Sequence, residues 1–483
     1  MKRPAVLLAA LLYIGLLLLP VALSFLTPEA RTLAHRPLVN DLASGMAMVG
    51  FAAVLMEFFL LGRIRPMSTT LGSNFLMQAH QLFARTAGLF ILLHPFFYSV
   101  LGVPPKPDDS SFAQSSSLTS ASLLSGIVGM LLLLAIIFSA LQRNAPESNY
   151  DRWRKWHGIM ALGVAVSGLH HVLDGGRYAQ LLGVQVYWWA LFAFALASLG
   201  TVYFIRPYLQ ARAPFKVKEI SKVALKTWRL VLEPVSKHPF EFKPGQFAWL
   251  KLGAASRHAD NPFSISSAPK PGKEVNFLIK EMGDFTRSLP QTPIGTPAFL
   301  DGPHGHFQIP AHAKSIVMIA GGIGIAPFVG LLQELTNQSD PRPVRLITGN
   351  RLSEQVIAIS SLIELTKLKD FKEIQVLGEP APEWPGLKGQ LDLETLKRAL
   401  DDEALAPLRS NAVFMVCGPA PMIDATEAAL VRLGVPLGRI VSEKFQYEFN
   451  LDSPRSRRTL GVWIVISVSL AIAVLLIRLI SQD

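Results

Sequence analysis

The sequence predicts a multidomain membrane protein: an all-α transmembrane helical bundle, an antiparallel β-barrel, an α/β domain and a C-terminal transmembrane helix. Three observations predict it. Half of the 483 residues (50%) are hydrophobic, too large a share for an ordinary soluble protein, and the length allows two or three domains. Through residue 206 the apolar residues gather in runs near the roughly 20 residues that a helix needs to cross a bilayer. From about residue 213 those runs give way to alternating apolar and polar residues, and then to short apolar strands, each leading into a helix. The boundaries that follow are 1–206, 207–312, 313–447 and 448–483.

The expected spans lie near 5–25, 43–62, 76–101, 121–141, 156–174 and 185–205, with a seventh at 460–480. We read the first as an uncleaved anchor, although Ala22-Leu23-Ser24 would serve as a cleavage site if it were a signal peptide. Lys2, Arg3, Arg63, Arg65, Arg143, Arg152, Arg154, Lys155 and Arg206 all fall on one side of this topology. The positive-inside rule makes that side cytoplasmic, so the net charge of +11 is partly a topology signal. No basic run with interleaved aromatics suggests nucleic acid as a partner. The single cysteine, Cys417, excludes an intrachain disulfide and a cysteine-ligated iron–sulfur cluster.

Ionisable residues inside spanning helices are costly and point to function. His80 and His94 are 14 residues apart in the third span; His157 precedes His170 and His171 by 13 and 14 residues in the fifth. A 14-residue step covers roughly 21 Å along a helix and falls about 40° short of four whole turns, so its two ends share a face. A 13-residue step lies about 140° out of line. That favours His171 over His170, unless a π-bulge restores His170 to the face. Two histidines on each of two helices bracket two metal centres, one near each leaflet. Haem iron takes axial imidazoles, so two b-type haems are the natural candidates. Both helices run outward, which puts His80 and His157 at the inner level and His94 with His170 or His171 at the outer one.

In the soluble half, 215–220 and 225–233 alternate as half-buried strands do, and Pro244-Gly245 punctuates before a strand at 246–252. These make the antiparallel barrel. Ser315 to Ala320 is a continuous apolar strand, followed by the turn Gly321-Gly322-Ile323-Gly324-Ile325-Ala326-Pro327 and a helical pattern from Phe328 to Leu335. Further strands are expected at 344–348 and 413–416. Strands alternating with helices imply a parallel sheet that binds ligands at the carboxyl ends of its strands. A glycine-rich turn at such an end lets backbone N–H groups approach phosphate.

Over about residues 43–447 the chain resembles the ferric reductase and NADPH oxidase superfamily, in which a haem-binding transmembrane domain is fused to a ferredoxin-reductase-like module for FAD and NAD(P)H. The paired histidines are the first element of the resemblance, and Pro244-Gly245-Gln246-Phe247 is similar to the module's barrel motif. Asn261-Pro262-Phe263-Ser264-Ile265-Ser266-Ser267 resembles the flavin-binding segment, which implies that Phe263 packs on the isoalloxazine and Ser264 bonds near its N5. The oxidases usually carry His where this chain has Asn261. Gly283-Asp284-Phe285-Thr286 resembles the turn that holds the FAD pyrophosphate, and Gly302-Pro303-His304-Gly305 a Gly-Pro-Tyr-Gly loop, with His in place of Tyr. Gly321, Gly322, Gly324 and Pro327 match the nicotinamide-nucleotide turn. Cys417-Gly418-Pro419 matches the loop beside the nicotinamide. Ser442-Glu443-Lys444-Phe445 matches the end motif, whose aromatic covers the flavin. The tail departs from the family, which typically stops at that aromatic; Tyr447 or Phe449 are alternatives to Phe445 for the covering role.

The resemblance implies a relay from cytoplasmic NAD(P)H through FAD and two haems b to an acceptor outside the cytoplasm, across the cell's inner (plasma) membrane. Ferric iron and dioxygen, the latter reduced to superoxide, are the leading acceptors. Arg351, just beyond strand 344–348, is placed to pair with a 2′-phosphate and so favours NADPH over NADH. The rival reading is a haem-binding scaffold or proton conduit with an inactive reductase module; it predicts eroded nucleotide motifs, whereas these are intact.

Overall fold

A computed structural model of the chain describes residues 3–31, 37–60, 65–97, 121–142, 150–235, 240–254, 260–270, 274–365, 368–400, 411–444 and 453–481. It divides into two compact units. The first comprises Met1–Leu61, Met77–Val202 and Gly461–Asp483; the second comprises Gly62–Leu76 and Tyr203–Leu460.

The first unit is helical: α1 (Arg3–Phe25), α2 (Leu38–Glu57), α3 (Ser73–Phe96), α4 (Ala121–Gln142), α5 (Tyr150–Asp174), α6 (Leu182–Gly200) and most of a tail helix, Pro454–Ile480. α2 starts five residues earlier than the 43–62 expected and ends before it, and α3 and α5 also begin early. Their starts are polar in sequence, which a hydropathy reading does not register as helix. Among the described residues, five helices are long and apolar enough to cross a membrane: α1, α2, α4, the 182–211 stretch and the tail helix. α3 and α5 fall short because they carry Gln78, His80, Gln81, Arg85 and His94, and Arg152, Arg154, Lys155, His157 and Asp174.

Small residues let these helices approach closely, as membrane packing favours. A Cβ on Gly129 of α4 would meet Ser167 Oγ of α5 at 2.9 Å, and one on Gly163 would meet Leu132 at 2.8 Å. The tail helix is packed in the same way: a Cβ on Gly45 of α2 would lie 2.4 Å from Val474. Trp463 Nε1 donates to Thr86 Oγ1 (2.7 Å), which also lies 2.9 Å from Ser467 Oγ. Arg478 forms a buried ion pair with Asp41, to which the Tyr178 hydroxyl also donates (3.2 Å). Removing one partner of such a pair leaves an uncompensated buried charge.

The second unit holds two sheets. The first is antiparallel, in the order β4-β3-β6-β1-β2-β5: β1 Phe215–Ala224, β2 Thr227–Pro234, β3 Phe247–Leu252, β4 Asn261–Ser264, β5 Val275–Lys280 and β6 Pro297–His304. β2 begins at Thr227 rather than 225, because Ala224 pairs with Thr227 and Lys226 takes φ +54° in the intervening turn. The sheet curls until Ile265, beyond β4, makes a single bridge to Phe277 of β5. The barrel is therefore not closed by a continuous ladder. The second sheet is parallel, in the order β10-β9-β8-β7-β11-β12: β7 Ser315–Gly321, β8 Val344–Asn350, β9 Phe371–Leu377, β10 Leu387–Lys388, β11 Ala412–Cys417 and β12 Ile440–Glu443. β7 is fully buried and sits between β8 and β11, so the strand order reverses at β7/β11. Ligands of open α/β sheets bind in the crevice at such a reversal.

Candidate active site

Glycine makes the β7/β11 crevice. After β7, Gly322 takes φ +53° and a short 3₁₀ turn, Gly322–Ile325, leads into the helix Ala326–Asn337. Pro327 is buried in the first turn of that helix, where its missing N–H costs nothing. A Cβ on Gly324 would lie 2.2 Å from the Cys417 carbonyl oxygen, and one on Gly418 would lie 3.2 Å from the Gly321 backbone. The two turns thus lie backbone against backbone, with Pro419 beside Gly321. This cradle admits main-chain contact with a phosphate-bearing ligand, so the residues present fit a dinucleotide.

Cys417 is fully buried, and burial, with the Glu443 carboxyl next, pushes its thiol well above the usual range. It is therefore a protonated thiol and not a thiolate nucleophile. Cys417 pairs in register with Glu443 of β12. Glu443 is the residue that sequence reading quoted without giving it a role. Burial raises its carboxyl to about 8. A Cβ on Gly305, which has φ +90°, would come within 3.2 Å of Glu443 Oε1. Glu443 therefore stands where the second sheet meets the 302–305 loop. Phe445, with Tyr447 and Phe449, lies outside the described residues.

On the first sheet, Phe263 is half-buried and stacks on Phe285, with ring centroids 6.0 Å apart and planes at 23°. Ser264 is buried beside it. Ile265 is turned wholly into the core and its N–H is bonded to Gln246 O, so it fixes the segment and offers no side chain to a ligand. Gly283 opens the short helix Asp284–Ser288, and Thr286 Oγ1 accepts the N–H groups of Met282 (2.8 Å) and Gly283 (3.0 Å), which holds that turn in shape. A Cβ on Gly302 would press on Ala248 at 3.0 Å. A half-buried aromatic pair beside an ordered turn fits a flavin.

His304, in the 302–305 loop, points into the second unit. It is fully buried, with Nδ1 2.8 Å from Ser68 Oγ and Nε2 3.4 Å from Asp301, which Arg206 grips through two N–H bonds (3.0 and 3.2 Å). Burial, opposed by Asp301, pushes the imidazole below its usual range. Arg351 stands exposed at the end of β8, its Nε 3.1 Å from Glu379. Glu379 follows β9 and arrives there because the two strands run parallel, with Asn350 opposite Leu377.

In the first unit the His80 and His157 rings lie with centroids 6.4 Å apart. Were haem bound, His80 and His157 would be the residues to hold its iron at this level, as haem iron takes imidazole ligands. His80 Nδ1 is bonded to the Glu57 carboxyl. His94 Nδ1 is 3.1 Å from Ala43 O, and His171 Nδ1 is 2.8 Å from Ser122 O. A Cβ on Gly126 would strike the His171 ring at 2.7 Å, so glycine makes room for it. His170 is exposed and bonded to Ser125 Oγ (2.9 Å). These rings fit two haems. Among the described residues no three His, Cys, Asp or Glu side chains gather as a protein-only metal site would need.

Three families match in succession: "Ferric reductase like transmembrane component" over residues 46–168, "FAD-binding domain" over 215–306 and "Oxidoreductase NAD-binding domain" over 318–428. The chain belongs to the ferric reductase and NADPH oxidase superfamily. This superfamily member is an integral-membrane oxidoreductase with a module that binds FAD and a nicotinamide nucleotide. Among curated proteins it is similar to the reductase component of propane 2-monooxygenase from Mycolicibacterium goodii, 33% identical over 237 residues, covering 47% of this chain and 66% of the relative. It is also similar to NADH-cytochrome b5 reductase 1 of Kluyveromyces lactis, 32% identical over 187 residues, covering 38% of this chain and 64% of the relative. The chain spans 57% to 68% of the length of such relatives. Among solved structures it is similar to the ferredoxin reductase in carbazole 1,9a-dioxygenase, with TM-score 0.42, 23% identity and coverage of 48% and 69%.

Proposed function

We propose that the protein carries electrons from cytoplasmic NAD(P)H, through FAD and two b-type haems, to an acceptor outside the cytoplasm. The observation that carries this reading is the His80–His157 pair on two helices, whose ring centroids lie 6.4 Å apart with planes at 68°, close enough that both could hold one iron. His94 and His171 make the outer pair, with His170 bonded away to Ser125. The flavin, when bound, divides a two-electron hydride donor into the single electrons that a haem accepts. The protein's part is placement. Gly321, Gly322, Gly324, Gly418 and Pro419 bring the backbone to the nucleotide. Phe263, Ser264, Gly283, Asp284 and Thr286 seat the flavin. Cys417 and Glu443 keep their protons in a dry crevice beside the nicotinamide.

Ferric iron is the acceptor we favour to test first, against dioxygen. For the donor, Arg351 supports NADPH through its reach to a 2′-phosphate, while its ion pair with Glu379 puts an acid at the same strand end. The reading has one test. The purified protein, loaded with FAD and haem, is reduced with NADPH without oxygen, and a ferric chelate or oxygen is then admitted. Reduction of the b-haem bands, followed by faster reoxidation with one acceptor, is expected. Haem bands that stay oxidised while FAD is bound would sink the relay in favour of a haem-binding scaffold.

A further inference from the structure

The two histidine levels differ in what holds their Nδ1 atoms. His94 and His171 each face a backbone carbonyl, on Ala43 and Ser122. His80 faces a side-chain carboxyl, that of Glu57, which is buried at the end of α2 and whose Oε1 has no other donor among the described residues. A carboxyl group at the end of an apolar helix is costly to bury unless it is partnered. His80 is the partner it has.

We propose that Glu57 sets the inner haem to a lower potential than the outer one, which gives the relay its outward direction. The inference rests on the haem reading above. An imidazole that holds its proton on Nδ1 carries its lone pair on Nε2, the atom that then meets the iron. A carboxyl pulling on the Nδ1 proton makes Nε2 a stronger donor than a carbonyl does. A stronger axial donor stabilises ferric over ferrous iron, and second-shell hydrogen bonding of this kind is one of the levers that tune haem potential. A carboxyl holds Nδ1 of His80, whereas a backbone carbonyl faces Nδ1 of His94 and of His171. Glu57 is thus a positioning residue that acts through His80.

The test is spectroelectrochemical titration of the full-length holoprotein beside Glu57→Gln, with haem counted in each preparation. Two haems per chain with two resolved midpoints are expected in the unaltered protein. In Glu57→Gln the lower midpoint moves positive and the upper stays. The equilibrium for passing an electron outward falls about tenfold, or ~59 mV for one electron. Both midpoints unchanged with both haems in place would overturn the proposal and leave the relay standing. Absence of haem from the unaltered protein would overturn the relay and this inference together. If Glu57→Gln sheds the inner haem, Glu57→Asp decides. Recovery of haem at the low midpoint supports the proposal, and equal loss makes Glu57 a packing residue and overturns it.

Discussion

In the reductase module the chemistry-bearing atoms are held by main chain. Gly324 admits the Cys417 carbonyl to a place where a Cβ would stand 2.2 Å from it, and Gly418 lies against Gly321. In the membrane bundle the groups offered are histidine side chains, each steadied from a neighbouring helix: His80 by the Glu57 carboxyl, His94 and His171 by the backbone carbonyls of Ala43 and Ser122. The contrast follows from solvent. A loop at the carboxyl end of a strand can leave N–H groups open to water until a ligand arrives. A spanning helix has already spent its N–H groups internally, so only side chains remain to hold a cofactor. The module should therefore be broken by adding one methyl to a backbone and the bundle by deleting one ring, and neither injury should spread to the other region.

The largest effect is expected from His94→Ala. It should remove one of two haems while FAD content and NAD(P)H-driven flavin reduction stay unchanged. Pyridine-haemochrome and flavin counts on the same preparation check this. Two haems retained per chain would remove His94 from the ligand set. The complementary injury is Gly324→Ala. The added methyl must displace either the Cys417 carbonyl or the turn, and misplacement of about 1 Å at a reacting centre costs on the order of 100-fold. Flavin reduction by NAD(P)H should fall by about that factor with both haems in place. A change of less than about threefold would mean that the cradle is not the nucleotide's seat.

How legible each region was follows from the same contrast. The alignment of the histidines was legible because the helix repeats at fixed angle, so a 14-residue step brings two rings to one face; His170 is exposed and His171 half-buried. The module's glycines were legible because each lies in a contiguous turn between strand and helix. Glu57 was not legible. It lies 23 residues before His80 on another helix, and no period connects them. Glu443 beside Cys417, and Glu379 beside Arg351, were hidden for a related reason: each pair is made by parallel register between strands, and a parallel crossover leaves no local signal of which residues become neighbours. The surroundings of His304 were not legible from its loop. Its burial depends on Ser68, which is 236 residues away in the chain.

The smallest effect predicted is a pH dependence, and it tests whether the crevice is as dry as its packing implies. Burial holds the Glu443 carboxyl at about 8, against an ordinary value of 4.5. Between those two values the unfolded chain has released this proton and the folded chain keeps it, so the folded state binds more protons and stability falls as pH rises. The contribution is fully present below about 4.5, is lost progressively up to about 8 and changes little above that. Glu443→Gln keeps the shape and has no proton to lose. The full-length protein and the variant should therefore diverge in denaturant midpoint from pH 5 to pH 8, the unaltered protein losing at most about 1.4 kcal/mol per pH unit relative to the variant. Curves that run parallel over that range would mean that water reaches Glu443, and that its place beside Cys417 and the 302–305 loop is open rather than dry.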